Sequence, residues 1–239
     1  MKEVKQTSRA LVVFSGGQDS TTCLFWALKN FEEVRTLTFD YGQRHRIELE
    51  CAKNIAQLAG VPHEVLSVGT FAELGGNALT GMEEVVDQGE TNEDAGLPNT
   101  FVPGRNLILL SFAAARAWQL GIENIVTGVC QTDYSGYPDC RKNTIDALQL
   151  ALNLGMERQF VLHTPLMWLS KAQTVKMAEE FGALEALSLS HTCYNGQFPP
   201  CSTCPACFLR ERGFLEAGIP DPLIERAKQS IPNEVAKNL

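Results

Sequence analysis

The sequence lacks any apolar run near the about 20 residues that a membrane-spanning helix needs. It also lacks a legible leader. Residues 1–10 are polar and run into a short apolar stretch, Leu11 to Phe14, with no small-residue cleavage site after it. Positive charge is scarce as well: 20 Lys and Arg stand against 28 Asp and Glu, for a net charge of −8. That balance argues against a broad nucleic-acid or anionic-membrane surface. It leaves room for a local phosphate site, which a few backbone N–H groups can build. Internal repeats and low-complexity tracts are missing too, so solenoid and linker architectures drop out. A cytoplasmic protein is expected, and in that reducing compartment eight cysteines need a reason other than disulfides.

What is present is ordinary globular material. At 239 residues the chain can bury a proper core. Apolar spacing predicts strands at 10–14, 34–39, 63–68, 124–128 and 160–163. It predicts helices at 19–31, 46–58, 106–120 and 171–181. Strand alternating with helix indicates an α/β fold, an open doubly wound parallel sheet with helices on both faces. Ligands in such sheets bind beyond the carboxyl ends of the strands. Residues 75–103 break the pattern around an acidic centre at 83–94, which reads either as a lid or as a solvated excursion.

The first strand runs through Phe14 into Ser15, Gly16, Gly17, Gln18, Asp19, Ser20 and Thr21, and directly into a helix. Paired glycines let the backbone turn tightly and approach a ligand, while the helix start offers unpaired N–H groups and a positive dipole end. This is an anion cradle without a lysine, and it is not a Walker loop. The plainer alternative is a strand-to-helix turn capped by Asp19 or Ser20. Further on, Thr164-Pro165-Leu166 precedes Lys171 in a first helical turn, where the dipole disfavours a cation unless something anionic lies close. An ordinary surface lysine is the other reading.

Cys193, Cys201, Cys204 and Cys207 follow a C-x7-C-x2-C-x2-C spacing in a segment rich in glycine and proline. Four thiolates without histidine form a closed tetrahedral shell, as in structural zinc sites. An iron–sulfur cluster satisfies the same residues, and free thiols or disulfides remain the alternative to any metal. His191 is surplus to a four-sulfur shell and is expected to hydrogen-bond locally. Cys23 and Cys51 fall within helices as packing residues.

Three strand ends mix aromatic faces, cations and carboxylates. They are Asp40-Tyr41-Gly42-Gln43-Arg44-His45, Phe101-Val102-Pro103-Gly104-Arg105-Asn106 and Asp133-Tyr134-Ser135-Gly136-Tyr137-Pro138-Asp139-Cys140-Arg141. Such stretches suit a planar, hydrogen-bonding, anionic substrate, although each alone is compatible with plain turn chemistry.

The Ser-Gly-Gly-x-Asp-Ser turn after an apolar strand resembles the pyrophosphate loop of the N-type ATP pyrophosphatases. With the three strand ends, TPLMWLSK and the cysteine spacing, the chain resembles the QueC family of 7-cyano-7-deazaguanine synthases in queuosine biosynthesis, from about Leu11 to Phe214. The resemblance implies an adenine nucleotide alpha hydrolase-like fold, with an ATP pyrophosphatase domain over 1–189 and a zinc-binding segment over 190–239 packed on it. It implies ATP-dependent conversion of 7-carboxy-7-deazaguanine and ammonia to the nitrile through adenylated intermediates.

Under this reading residues 14–21 hold the pyrophosphate and Lys171 meets charge at the α-phosphate. Asp19 touches Mg²⁺ carried with ATP. Arg44 or Arg105 meets the substrate carboxylate, Asn106 lines the same site, and Tyr41 or Tyr134 stacks on the base. Asp133 takes a proton from ammonium. The partners implied are small molecules and a second copy of the chain as a homodimer, with no nucleic acid or membrane. No glutaminase signature is present. Two rivals stand beside this reading: a tRNA-thiolating enzyme of the same superfamily, and a non-catalytic nucleotide-binding module.

Overall fold

A computed structural model describes residues 8–42, 47–69, 91–92, 97–98, 101–132 and 136–230. In chain order the elements open with β1 (Arg9–Val13), α1 (Gln18–Asn30), β2 (Glu33–Asp40), α2 (Ile47–Leu58) and β3 (His63–Ser67). A two-residue hairpin pair follows, β4 (Thr91–Asn92) and β5 (Leu97–Pro98), then α3 (Arg105–Leu120) and β6 (Asn124–Val126). A short 3₁₀ turn (Pro138–Cys140) leads into α4 (Lys142–Met156) and β7 (Val161–His163). The chain ends through α5 (Lys171–Glu180), α6 (Leu184–Leu189), α7 (Pro205–Ala217) and α8 (Pro222–Ser230).

Five strands form one parallel sheet in the order β3-β2-β1-β6-β7. Side chains of β1 alternate between its faces, as the two-residue pleat requires. Ala10, Val12 and Phe14 pack with Cys23, Leu24 and Ala27 of α1 and with Ala52, Ile55 and Ala56 of α2. Leu11 joins Leu110, Ala113, Ala114 and Ala117 of α3 and Ile145 and Leu152 of α4 on the other face. A central strand buried on both sides must read as a continuous apolar run, and residues 10–14 do. The fold class expected from the sequence is the one observed.

The chain leaves β1 toward β2 and β3, then returns to β6 and β7 on β1's other side. The order therefore reverses between β1 and β6. At such a switch point the loops after the two strands diverge and leave a crevice for a ligand. Here those loops are residues 14–17 and 127–131.

Four helices escape the sequence reading: α4, α6, α7 and α8. In α4 the stripe that meets the core is Ile145, Leu148, Leu152 and Met156, of which only Ile145 and Leu152 are fully buried, while Leu150 and Leu154 on the same helix face outward. Apolar residues on nearly every side blur the 3.6-residue period. The cysteine-rich segment is likewise part helix: Cys204 is the N-cap of α7, with Pro205 at its first position. Helix α7 lies so close to α5 that a Cβ on Gly213 would come within 2.9 Å of the Lys171 Cβ. Arg210 of α7 pairs with Asp221 (2.6 Å) while only 3% of its side chain is exposed, and it also donates to Ser190 and Thr192. Among the described residues no helix is long and apolar enough to cross a membrane.

Candidate active site

The turn after β1 is fixed from several directions. Gly17 is the N-cap of α1 and supplies no side-chain cap, so neither Asp19 nor Ser20 caps this helix. The first return bond runs from Thr21 N to Gly17 O (3.0 Å), so the N–H groups of Gln18, Asp19 and Ser20 have no acceptor within the helix. Ser20 Oγ staples the turn instead: it donates to Gly17 O (3.2 Å), accepts from Ser15 N (3.2 Å) and lies 3.1 Å from Ser15 Oγ. Gly16 has φ +78, and a Cβ there would lie 2.6 Å from Ala52 N and 3.0 Å from Glu48 O, because α2 presses on the turn. Gly128, after β6, also approaches, though less tightly; its Cβ would lie 3.2 Å from Ser20 N. His191 N donates to Gly16 O (3.1 Å), which ties the cysteine segment to the same turn.

Three polar atoms of this turn are buried without a partner among the described residues: Gln18 Nε2, Asp19 Oδ1 and Thr21 Oγ1. Unpaired buried polar groups are costly, so a cluster of them points to a ligand. Phe14 contributes backbone only. Its ring is in the core, edge-on to His63, and its carbonyl accepts from Thr38 Oγ1 (2.5 Å).

Lys171 reaches this turn from α5. A capping box at Ser170 and Gln173 fixes the start of that helix, Ser170 N donating to Gln173 Oε1 at 2.8 Å. Lys171 Nζ donates to Asp19 Oδ2 at 2.6 Å. The anionic neighbour that a lysine at a helix start requires is thus a carboxylate in the first turn of α1.

A second cluster gathers at the ends of β2 and at the start of α3. The Arg105 guanidinium lies 6.0 Å from the centre of the Tyr137 ring, which itself stacks at a tilt against Phe101 (5.6 Å), and its charge also acts on the Tyr41 phenol. Burial works against the Arg105 charge, but Tyr41, Tyr194, Tyr137 and Asp139 more than offset it and hold the guanidinium cationic. Burial pushes the Tyr41 phenol up. Asn106 N donates to the buried Asp139 carboxylate (2.9 Å), and Asn106 Nδ2 lies 3.3 Å from Cys140 Sγ. Arg44, Asp133 and Tyr134 lie outside the described residues.

Sequence reasoning passed over Tyr137, Asp139 and Tyr194 as individual site residues, and Glu48 altogether. Asp139 had a signal, a carboxylate in a stretch already rich in site chemistry. Glu48 had none, since an acid in a first helical turn is the commonest helix-dipole partner.

The four cysteines converge. Their sulfurs all lie within 4.8 Å of one another, and Cys201 Sγ and Cys207 Sγ are 3.9 Å apart. A tetrahedral ion with metal–sulfur bonds of about 2.3 Å would set sulfurs about 3.8 Å apart, so the residues fit a metal ion. Cys204 N (3.3 Å) and Asn195 Nδ2 (3.5 Å) point at Cys201 Sγ, as donors to a thiolate would. Hydrogen bonding from Cys207 pulls the Cys204 thiol down and pushes Cys207 up in return. His191 stays outside the cluster, its Nε2 2.8 Å from Cys193 O.

Comparison with known proteins agrees with this geometry. A solved 4-thiouridine synthetase–RNA complex with bound ATP has the same fold at a TM-score of 0.50 and 17% identity, over 93% of this chain and 54% of that one. Curated relatives are far closer. The 7-cyano-7-deazaguanine synthase of Chromobacterium violaceum is 62% identical over 92% of this chain and 94% of its own length. That of Laribacter hongkongensis is 61% identical over 95% and 98%. The family described as queuosine biosynthesis protein QueC matches residues 9–218. With its glycine turn after β1, its arginine–tyrosine cluster and its four convergent cysteines inside that span, the chain belongs to the QueC family.

Proposed function

We propose that this chain is a 7-cyano-7-deazaguanine synthase, using ATP to convert 7-carboxy-7-deazaguanine and ammonia to the nitrile. One observation carries the reading. The turn at residues 15–20 lies at the switch point of the sheet with buried polar atoms that find no partner among the described residues, in a chain 62% identical to an enzyme of that name.

A carboxylate oxygen is a poor leaving group, so ammonia cannot displace it directly. Transfer of AMP to that oxygen turns it into a good one, and ammonia then gives the amide. Activation of the amide oxygen by a second AMP permits elimination to the nitrile. Catalysis of this kind rests on positioning and on stabilising developing charge. Residues 15–21 grip the β,γ-pyrophosphate through backbone N–H groups, with Gln18 Nε2 and Thr21 Oγ1 adding donors. Lys171 leaves its ion pair with Asp19 to meet the charge that builds at the α-phosphate. Asp19 Oδ1, buried and unpartnered, suits the divalent cation that accompanies ATP.

Arg105 takes the substrate carboxylate, Asn106 borders it, and Tyr41 packs against the base. The four cysteines hold zinc, whose closed shell fixes residues 191–207 beneath the phosphate loop. The net charge of −8 supports small-molecule partners over a polynucleotide.

The test is direct. Purified protein given ATP, Mg²⁺, ammonium and 7-carboxy-7-deazaguanine should release AMP and form amide and nitrile. Failure to form either product would remove the assignment.

A further inference from the structure

We propose that Arg210 is a positioning residue for nucleotide binding: it fixes residues 190–192, and these lock the peptide between Gly16 and Gly17 in the turn assigned to the phosphates. The role rests on the ATP-binding half of the reading above. That turn would work through its backbone N–H groups, so the orientation of each peptide decides whether it attracts or repels an anion. A peptide with glycine on both sides rotates at little steric cost, because neither neighbour carries a Cβ.

His191 holds this peptide. Its backbone N–H donates to Gly16 O at 3.1 Å, and its carbonyl oxygen lies 3.5 Å from where a Cβ on Gly17 would sit. In a planar trans peptide the N–H points away from the C=O. A Gly16 carbonyl tied to His191 therefore turns the Gly17 N–H to the opposite side, where Ser15 Oγ lies 3.3 Å away. Rotated the other way, the peptide would offer a carbonyl oxygen to the phosphates.

Arg210 of α7 holds His191 in turn. A guanidinium carries five N–H donors in a fixed fork, and here each finds an acceptor. Nη1 donates to Ser190 Oγ (2.7 Å) and Thr192 Oγ1 (3.0 Å), the residues on either side of His191. Nη2 donates to Leu187 O (3.2 Å) and Asp221 Oδ1 (2.8 Å), and Nε donates to Asp221 Oδ2 (2.6 Å). Asp221 Oδ1 also accepts from Leu223 N (2.9 Å) in the first turn of α8. Arg210 is 3% exposed, so a donor or acceptor left unpaired here is costly, and the matched arrangement is strongly preferred. Lysine has three donors on a point charge and cannot make this set. His191 also meets the cysteine segment, its Nε2 lying 2.8 Å from Cys193 O, so bound metal has to be read alongside nucleotide affinity.

Two variants of the full chain test the role. Arg210→Lys keeps the charge and loses the fork. Ser190→Ala combined with Thr192→Val keeps the Arg210–Asp221 pair and cuts its link to the residues beside His191. Each is compared with the unsubstituted protein in melting temperature, bound metal, affinity for a non-hydrolysable ATP analogue with Mg²⁺, and the KM for each substrate. Release of the Gly16–Gly17 peptide should weaken analogue binding and raise the KM for ATP about 5- to 10-fold, the worth of one hydrogen bond. The KM for the acid and the metal bound per chain should stay near their starting values, since Arg105 and the four cysteines are untouched. A folded variant with unchanged nucleotide affinity would overturn the proposal. So would a parallel rise in both KM values, which marks a general support of the fold, or a loss of affinity matched by a loss of metal. Where Arg210→Lys fails to fold, the Ser190 and Thr192 variant decides. Unsubstituted protein that binds the analogue but forms neither amide nor nitrile would remove the synthase reading and leave this role standing. Failure to bind the analogue at all would remove both.

Discussion

Lys171 and Asp19 meet at 2.6 Å across 152 residues of sequence, and their pairing joins the last strand–helix unit of the sheet to the first. Both side chains retain some exposure, 19% and 29%, so the pair faces the crevice and is open to exchange partners. On the proposed reading this carboxylate holds the lysine beside the turn assigned to the phosphates, where an incoming phosphate would take the ammonium and leave the carboxylate to a cation.

Lys171→Met should therefore leave the fold nearly intact, because a part-exposed pair contributes only about 0–1 kcal/mol. AMP release should drop by about 100- to 1000-fold, the usual cost of one charge-stabilising donor. Thermal unfolding beside steady-state kinetics decides it: a collapse of the melting temperature with little change in turnover would make the lysine structural.

Gly16→Ala combines two costs. A left-handed backbone disfavours alanine by about 1–2 kcal/mol, and overlap with the Ala52 backbone adds about 1–3 kcal/mol. Gly60→Ala isolates the first, since Gly60 also has positive φ but nothing within 4 Å of its missing Cβ. Urea unfolding of the two variants should show Gly16→Ala to be the more damaging, and ATP binding should weaken in that variant alone.

Arg105→Lys keeps the charge but loses the planar fork that matches a carboxylate. The KM for the acid substrate should rise about 10- to 100-fold, equivalent to about 1.4–2.8 kcal/mol, with the KM for ATP little changed. A parallel rise in both constants would argue against a carboxylate contact.

Cys207→Ser should lower bound metal below one ion per chain by elemental analysis, because three thiolates make an incomplete shell. Since His191 N holds Gly16 O beside the cluster, metal loss should also weaken ATP binding. Zinc without visible colour is expected; a brown protein would favour an iron–sulfur cluster.

Glu48 gives a signed pH dependence of stability. Its folded pKa is about 7 against an ordinary 4.5, so the folded state binds more protons between those values and stability falls as pH rises through that window. Glu48→Gln removes the penalty. The variant should match the unsubstituted protein near pH 4.5 and exceed it in melting temperature at pH 8. A variant less stable at pH 8 would contradict the burial that raises this carboxyl.

Legibility followed the length scale of each interaction. Strand β1 and its turn were readable because a two-sided strand has to be apolar throughout and a tight turn needs glycine. The cysteines were readable by spacing alone. Helix α4 was not, since its core-facing stripe of Ile145, Leu148, Leu152 and Met156 is interleaved with apolar residues such as Leu150 and Leu154 that face outward. Glu48 was hidden by its ordinary position. What moves it is its burial, which depends on how the polypeptide packs around it.

By itself the sequence determined the alternation of strand and helix, the glycine turn after β1 and the four thiols whose spacing suits a metal ion, all properties of short windows whose chemistry is local. Only the tertiary structure decided that α2 and the loop after β6 clamp that turn from two sides. It alone brought Lys171 to Asp19 and set Arg105 among three tyrosines. Those relations arise from the strand order, which reverses between β1 and β6 and converges distant segments on one crevice.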